Sequence, residues 1–384
     1  MEIADRMEDV PGSGTLEILS LANELEQKGE DVIHLEVGQP DFDTPTHIKE
    51  AAKAALEEGK TGYTSSAGTS GLRKTISGHL GKKGIERGVD EIIVTPGAKH
   101  SIFSSMSVCL DPGDEIIIPA PCWTYEGMVR IINAKPVFVE APEENQFRIS
   151  LEDIKENISS KTKMLLLNYP NNPTGAILGE ETITSLLELS SDHDFWVLAD
   201  EVYDEIIYEK EPESVASFSD YRDRIIYVNG FSKTYAMTGW RLGYTAGPEE
   251  LISEMIKIQQ NSTTCATSFV QAAGIEALQG PQDCVREMVS QYQERRDKIL
   301  EGLNSIEGIE CMKPQGAFYI FPNVKNLGRD SEELSKYLLK KAGVATTPGS
   351  AFGPGGEGHL RLSFANSLEK IEEALDRLKK ALQE

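Results

Sequence analysis

Seven short, strongly apolar runs alternate with helical patterns between about residue 72 and residue 246, and this alternation constrains the fold most. The runs are typical of buried strands because they are short, rich in Val, Ile and Leu, and bounded by turn residues. They cover 91–95, 115–119, 136–140, 164–167, 196–199, 224–228 and 241–246. Strands that alternate with helices in this way predict βαβ units and a mostly parallel sheet in an α/β protein.

The rest of the chain indicates a second, smaller unit. The pattern from 249 to about 305 is helical, and short strand patterns at 317–321 and 360–363 alternate with helical patterns at 331–342 and 367–383. This arrangement is typical of an α+β module. We therefore predict an N-terminal arm that contributes to a small domain (1–42), a large domain (43–285) and the remainder of the small domain (286–384).

The composition excludes several classes of function. The formal net charge of −24 repels phosphate backbones, so we expect no nucleic-acid partner. The five scattered cysteines fit free thiols in a reducing compartment, and the six dispersed histidines show no metal-ligand spacing. The start lacks an apolar secretory segment, and no apolar run approaches the ~18 residues of a membrane span. These features predict a cytoplasmic protein without a metal or a membrane contact.

A glycine-bounded loop between the last two strand patterns carries one lysine, Lys233, and one arginine, Arg241. A lysine in this apolar setting loses hydration, which favours the uncharged, nucleophilic amine that forms a Schiff base with an aldehyde. Arg241 has the planar guanidinium that suits a phosphate. A solvated surface lysine is the ordinary alternative, but the small residues around Lys233 favour a functional one. An aldehyde that also carries a phosphate describes pyridoxal phosphate (PLP).

Two further motifs follow strand patterns and suit parts of the same ligand. Gly97 and Ala98 form a turn before a helix, and the unpaired N–H groups and dipole of a helix N-terminus bind phosphate well. Lys99 either adds a positive charge there or is solvated. Trp123 either packs in the core or stacks on a flat heteroaromatic ring.

Three polar residues complete the candidate site. Asp200 is the last residue of an apolar strand pattern. It either caps the next helix or faces a pyridinium N–H. In the second case its negative charge would keep the ring nitrogen protonated, so that the ring can accept electrons. Asn172 lies in a turn made rigid by two prolines, and that turn is either ordinary or serves to place the amide. Arg361 lies on a short strand pattern and forms either a bidentate clamp for an α-carboxylate or a surface salt bridge.

These motifs together resemble the class I and II PLP-dependent aminotransferases of fold type I. The resemblance is greatest to the prokaryote-type aspartate aminotransferase branch, which shares the runs Gly-x-Pro-Asp-Phe-Asp-x-Pro and Ala-Met-Thr-Gly-Trp-Arg, here at 38–45 and 236–241. It covers nearly the whole chain. It implies a large domain with a mostly parallel seven-stranded sheet between helices, a small α+β domain built from both termini, and a homodimer with shared active sites.

The resemblance also implies roles for individual residues. Lys233, Asp200 and Tyr203 would be catalytic: Lys233 as the Schiff-base lysine and proton shuttle, Asp200 at the ring nitrogen and Tyr203 at the phenolic O3′. Contacts to the cofactor are implied for Gly97, Ala98, Lys99, Trp123, Asn172, Asp200, Tyr203, Ser232, Lys233, Arg241 and the partner subunit's Tyr63. Many class I enzymes have a serine three positions before the lysine. This chain has Gly230 there, so the phosphate contact falls to Ser232.

Substrate contacts are implied for Gly38, Trp123, Asn172 and Arg361. The expected reaction is transamination between an L-amino acid and a 2-oxo acid, with aspartate and 2-oxoglutarate as the first choice. Aromatic amino acid or alanine aminotransferases, carbon–sulfur β-lyases and aminocyclopropane-carboxylate synthases remain alternatives, because PLP supplies the same chemistry on this scaffold. The group that would bind a distal carboxylate is not identified, although Ser13 is a candidate polar contact. A dinucleotide-dependent dehydrogenase is disfavoured because no G-x-G-x-x-G follows the first strands, and a regulatory module is disfavoured because no room remains for a DNA-binding domain.

Overall fold

The computed structural model describes residues 3–12, 14–209 and 212–383. Its strands are Ile33–His34 (β1), Ile92–Thr95 (β2), Glu115–Ala120 (β3), Lys135–Glu140 (β4), Thr162–Asn168 (β5), Trp196–Asp200 (β6), Ile225–Gly230 (β7), Gly243–Ala246 (β8), Tyr319–Ile320 (β9), Val344–Ala345 (β10), Thr347–Pro348 (β11) and Leu360–Ser363 (β12). Its α-helices are Gly14–Gln27 (α1), Thr46–Glu57 (α2), Ser70–Lys82 (α3), Ala98–Cys109 (α4), Glu126–Ile131 (α5), Leu151–Glu156 (α6), Glu180–His193 (α7), Glu249–Gln260 (α8), Ser268–Gln279 (α9), Asp283–Asn304 (α10), Ser331–Ala342 (α11) and Leu368–Gln383 (α12).

The seven strands of the large sheet run in the order β2-β8-β7-β6-β5-β3-β4. Only β8 is antiparallel to its neighbours, β2 and β7, and the other four pairs are parallel. The sequence prediction of a mostly parallel seven-stranded sheet is therefore confirmed. Strand residues alternate between two cores: Ile92 and Val94 pack with α2, α3, α7 and α9, while Ile93 packs with α4, α5 and α8. Helices thus cover both faces of the sheet.

A smaller unit is built from both ends of the described chain. β1, near the N-terminus, pairs in parallel with β10, and β12 lies between β11 and β9 in an antiparallel sheet. Its core joins Ile33 and Leu35 to apolar residues of α10, α11 and α12. Helix α1 packs beside it through Ile18 and Ala22. The predicted division at 285/286 falls near the start of α10 and stays a prediction.

Several predicted boundaries differ from those observed. The strand predicted at 241–246 begins two residues later, because Arg241 has φ of +53° and interrupts the extended backbone. The strand predicted at 317–321 shortens to β9, and Ala317 likewise has a positive φ, of +56°. The helical region at 249–305 is three helices, α8, α9 and α10. Within the described residues, no helix is long and apolar enough to cross a membrane.

Candidate active site

A cavity of about 450 Å³ lies beyond the carboxyl ends of the central strands of the large sheet. Asn168, Asp200 and Gly230, which end β5, β6 and β7, line one side of it. Ligands of open α/β sheets bind at this edge. The smaller unit closes the other side with Tyr319 and Arg361. The cavity therefore lies between the two units.

Lys233 lies in the loop between β7 and β8 and points into this cavity. Its Nζ donates a hydrogen bond to the backbone oxygen of Gly38 at 2.5 Å. Burial lowers the pKa of Lys233 to about 8, and the charges of Arg361 and Arg241 act in the same direction. About a tenth of this amine is therefore uncharged at pH 7, and this is the nucleophilic form that a Schiff base requires.

The two runs that carried the family resemblance hold each other in place. Thr44 donates its hydroxyl hydrogen to the backbone oxygen of Ala236 at 2.7 Å and accepts a hydrogen bond from Trp240 Nε1 at 3.0 Å. Ala236 and Arg241 both have positive φ angles, near +51° and +53°. These contacts fix the loop that presents Lys233 against the segment that presents Gly38.

The turn before α4 provides a site for an anion. Gly97 has φ of +88° and makes no side-chain cap, so N–H groups at the start of α4 remain available. Arg241 approaches so closely that a Cβ on Gly97 would lie 2.7 Å from its Nη2. Similarly, a Cβ on Gly243 would lie 2.5 Å from the backbone nitrogen of Ala98. Ser232 also lines the cavity. These residues fit a phosphate group.

Asp200 is 3% exposed and holds its carboxylate at the end of β6. Its Oδ2 accepts a hydrogen bond from the hydroxyl of Tyr125 at 2.6 Å, and its Oδ1 accepts one from the backbone N–H of Val202 at 3.4 Å. Burial raises the pKa of Asp200 to about 6, although the Tyr125 hydrogen bond, the Val202 N–H and the charge of Lys233 oppose this effect. A cationic N–H in the cavity would stabilise this buried carboxylate.

Arg361 is 2% exposed on β12, with its guanidinium inside the cavity wall. Its Nη1 donates to Asn172 Oδ1 at 3.1 Å, and its Nη2 donates to the backbone oxygen of Glu36. Its Nε is buried and has no hydrogen-bond partner in the described part of the chain. Because a buried donor without an acceptor is costly, this guanidinium is suited to an incoming carboxylate. Tyr319 lies under it, 4.6 Å from the ring centroid.

The remaining candidates occupy distinct positions. Tyr203 is buried, and its hydroxyl lies 2.9 Å from that of Tyr319. Lys99 Nζ lies 4.5 Å from the centroid of the Trp123 ring, and burial and the charge of Arg241 lower the pKa of Lys99. Tyr63 does not line the cavity and is 89% exposed. Ser13 lies outside the described residues.

Comparison with known proteins agrees with this geometry. Residues 30–378 match the model of the family described as aminotransferase class I and II. The chain belongs to this family. It is 42% identical to an aspartate aminotransferase of Musicola paradisiaca over 100% of this chain and 97% of that protein. It is 39% identical to aromatic-amino-acid aminotransferase 2 of Thermococcus litoralis over 100% of this chain and 99% of that protein.

The solved structures give the same result. The aspartate aminotransferase from Thermus thermophilus with maleate superimposes with a TM-score of 0.95 and 38% identity, over 99% of this chain and 100% of that one. The predicted fold type I is confirmed, and this protein is a PLP-dependent aminotransferase that acts on small amino and 2-oxo acids. The residues present fit the cofactor: an anion site at Gly97, a buried carboxylate at Asp200 and an amine of lowered pKa at Lys233.

Several residues of this aminotransferase cavity were missed by the sequence analysis, among them Tyr125, Tyr319 and Leu16. Tyr125 lies only two residues after Trp123, and its ring packs edge-on against that indole with centroids 5.1 Å apart. Tyr125 and Asp200 are 75 positions apart in the chain, so their hydrogen bond could not be predicted from the sequence. Tyr319 comes from a two-residue strand, and Leu16 comes from α1. No sequence signal identifies either as a cavity residue.

Proposed function

We propose that this aminotransferase transfers the amino group of L-aspartate to 2-oxoglutarate. The observation that carries this proposal is that the cavity that contains Lys233 also holds Arg361 and Lys99, two cationic side chains in addition to the Arg241 of the phosphate site. Neither forms a salt bridge with a described carboxylate. A dicarboxylate substrate offers two anionic groups, so one carboxylate would bind Arg361 and the other Lys99. The Thermus relative named with maleate, itself a dicarboxylate, supports the same class of substrate.

The proposed catalytic roles follow from the contacts of each residue. PLP, when bound, supplies an electron sink for negative charge at the substrate Cα. Arg361 and Asn172 would orient the α-carboxylate. Lys233 Nζ would hold the cofactor until the substrate amine replaces it, and the released, uncharged amine would then accept the Cα proton. Asp200 would favour the protonated form of the pyridine nitrogen, because a buried carboxylate is most stable beside a cation. Tyr203 donates toward O3′ from the wall that it shares with Tyr319.

The phosphate would be bound by Gly97, Ala98, Ser232 and Arg241, with Trp123 over the ring face and Gly38 offering a backbone group to the substrate. We further propose a cytoplasmic homodimer, in which the exposed Tyr63 of each subunit reaches the partner's phosphate site. The division into 1–42, 43–285 and 286–384 belongs to the same proposal. An aromatic ring exposed to this extent is common at interfaces between subunits.

The substrate proposal is tested by initial rates with aspartate, alanine and phenylalanine, each with 2-oxoglutarate, in the native enzyme and in Lys99→Gln. If Lys99 binds the distal carboxylate, the substitution raises KM for aspartate by about tenfold, the effect of a lost charge-assisted hydrogen bond. KM for alanine, which lacks that carboxylate, changes less than twofold. Arg130→Gln, at a half-buried position outside the cavity, is the matched control and leaves all three KM values unchanged.

Three results would contradict the proposal. Equal changes in KM for aspartate and alanine would show that Lys99 acts on the cofactor rather than on the side-chain carboxylate. Release of pyruvate from a sulfur-containing amino acid, without consumption of 2-oxoglutarate by any amino acid, would replace transamination with β-elimination. A preference for phenylalanine in the native enzyme would favour the aromatic alternative, to which the Thermococcus relative's name corresponds.

A further inference from the structure

His34 is held between two carboxylates, one at each nitrogen of its ring. Its Nδ1 lies 2.7 Å from Glu36 Oε1, and its Nε2 lies 3.3 Å from Glu26 Oε1. A neutral imidazole has one N–H donor and one acceptor, so one of these contacts would set a lone pair against a carboxylate. Only the protonated ring donates in both directions. The geometry therefore favours a positively charged His34.

Glu36 connects His34 to the guanidinium of Arg361. The Glu36 side chain is fully buried, and its Oε2 has no hydrogen-bond partner among the described residues. Its backbone oxygen accepts hydrogen bonds from Arg361 Nη2 and from Thr347 Oγ1, the latter at 3.4 Å. A buried carboxylate is stable only beside positive charge. Protonated His34 supplies that charge, so the charge of Arg361 remains available to a substrate.

Glu26 connects His34 to the helix that covers the cavity. It lies in the last turn of α1, and Leu16, in the first turn of the same helix, lines the cavity. A helix transmits position between its ends because its backbone hydrogen bonds keep it stiff. The contact with His34 therefore fixes one end of α1 against the strand segment that carries Glu36.

We propose that protonated His34 is a positioning residue for the substrate carboxylate. It offsets the charge of Glu36 behind Arg361, and it holds α1 in place at the cavity. When His34 loses its proton, the negative charge of Glu36 acts on the positive charge of Arg361 instead. Arg361 then binds the α-carboxylate of both substrates more weakly. This inference rests on the proposed role of Arg361.

The surroundings of these groups agree with that assignment. The charged groups that face His34 are Glu26 from α1 and Glu36 from its own segment. His34 and Arg361 face Glu36, and the Tyr203 and Tyr319 hydroxyls lie near Arg361. Burial opposes the charged ring, but hydrogen bonds and charges of Glu36 and Glu26 outweigh it and raise the pKa of His34. The stabilising charge is therefore complete at pH 6 and is lost as the pH rises through this raised value.

The test measures KM for aspartate and for 2-oxoglutarate between pH 6 and pH 9.5 in the native enzyme and in His34→Gln. At pH 6 the substitution raises both KM values about threefold to tenfold, the effect of one partly buried charge. The ratio of variant to native KM falls toward one as the pH rises and native His34 loses its proton. The value of kcat changes less than KM at every pH. A ratio that is constant with pH would overturn the proposal.

Two more variants keep the test decisive if His34→Gln does not fold. His34→Lys retains a positive charge at all these pH values, so its KM values stay below those of the native enzyme at pH 9.5. Glu26→Gln removes only the exposed contact and raises KM about twofold at pH 6. Lys336→Gln is the control, because it breaks a different ion pair of α1, with Glu17 at 3.2 Å. Its KM ratio is the same at all pH values.

A final variant separates this inference from the proposed function. Arg361→Lys removes the planar guanidinium, and a large rise in KM for both substrates is expected. If that rise is absent, the proposed substrate site is wrong. If it is present while His34→Lys behaves like the native enzyme at pH 9.5, only the role of His34 is wrong.

Discussion

The hydrogen bond from Tyr125 to Asp200 can be tested through the affinity of the apoenzyme for PLP. Tyr125→Phe removes a hydroxyl that lies 2.6 Å from Asp200 Oδ2. A hydrogen bond to a charged group contributes about 1.5 to 3 kcal/mol, equivalent to about 1 to 2 pKa units. Burial raises the pKa of Asp200 to about 6, and the Tyr125 hydroxyl is the largest opposing influence. Its removal should raise that pKa to between about 7 and 8.

The expected loss of affinity depends on pH in a defined way. With PLP bound, Asp200 is ionised in both the native enzyme and Tyr125→Phe. The variant therefore loses affinity only at pH values at which Asp200 of its apoenzyme is protonated. For a pKa raised by about 1.5 units, the variant binds PLP about 25-fold more weakly at pH 5.5 and about fourfold more weakly at pH 7. At pH 9 the two proteins bind equally, because both carboxyls are then ionised in the apoenzyme.

The measurement is a fluorescence titration of apoenzyme with PLP at several pH values. Tyr292→Phe is the matched control, since it removes a buried hydroxyl that has no partner in the described part of the chain. This control is expected to bind PLP as the native enzyme does at every pH. A Tyr125→Phe defect that is the same at pH 5.5 and pH 9 would refute the reasoning, because the hydroxyl would then act on shape rather than on the ionisation of Asp200.

Two further predictions concern the anion site and the subunit interface. Gly97→Ala places a Cβ 2.7 Å from Arg241 Nη2 at a φ of +88°, and PLP affinity should fall by about tenfold, equivalent to ~1.4 kcal/mol. Gly113→Ala, with a similar φ of +91° and open space around it, isolates the backbone strain and should leave the affinity unchanged, so an equal loss in both variants would contradict the role of Arg241. Tyr63→Phe should weaken PLP binding a few-fold while sedimentation shows a dimer, and a fully active native monomer would disprove the shared site.

The sequence predicted the architecture and the edge of the sheet that carries the site, because both follow from local patterns. Buried strands that alternate with helices predict a parallel sheet. In such a sheet, ligands bind beyond the carboxyl ends of the strands. Asp200 and Asn168 end neighbouring strands, so their proximity follows from topology alone. The reversed direction of β8 could not be predicted in this way. The apolar pattern of a strand carries no direction, and the structure joins β8 to β7 through the loop 231–242 without a crossover helix, which makes the two strands antiparallel.

The residues that the sequence did not reveal act through partners far away in the chain. Tyr125 contacts Asp200 across 75 positions, and the backbone oxygen of Glu36 contacts Arg361 across 325. Tyr125 and Glu36 lie in segments without a recognisable motif. Each nevertheless alters the electrostatic environment of a residue that the sequence did predict, Asp200 or Arg361. The strands β6 and β12 fix where Asp200 and Arg361 lie, whereas packing fixes how strongly each is ionised or shielded. The Tyr125 and His34 variants therefore measure what only the folded chain determines: the electrostatic state of two residues whose positions follow from the sequence.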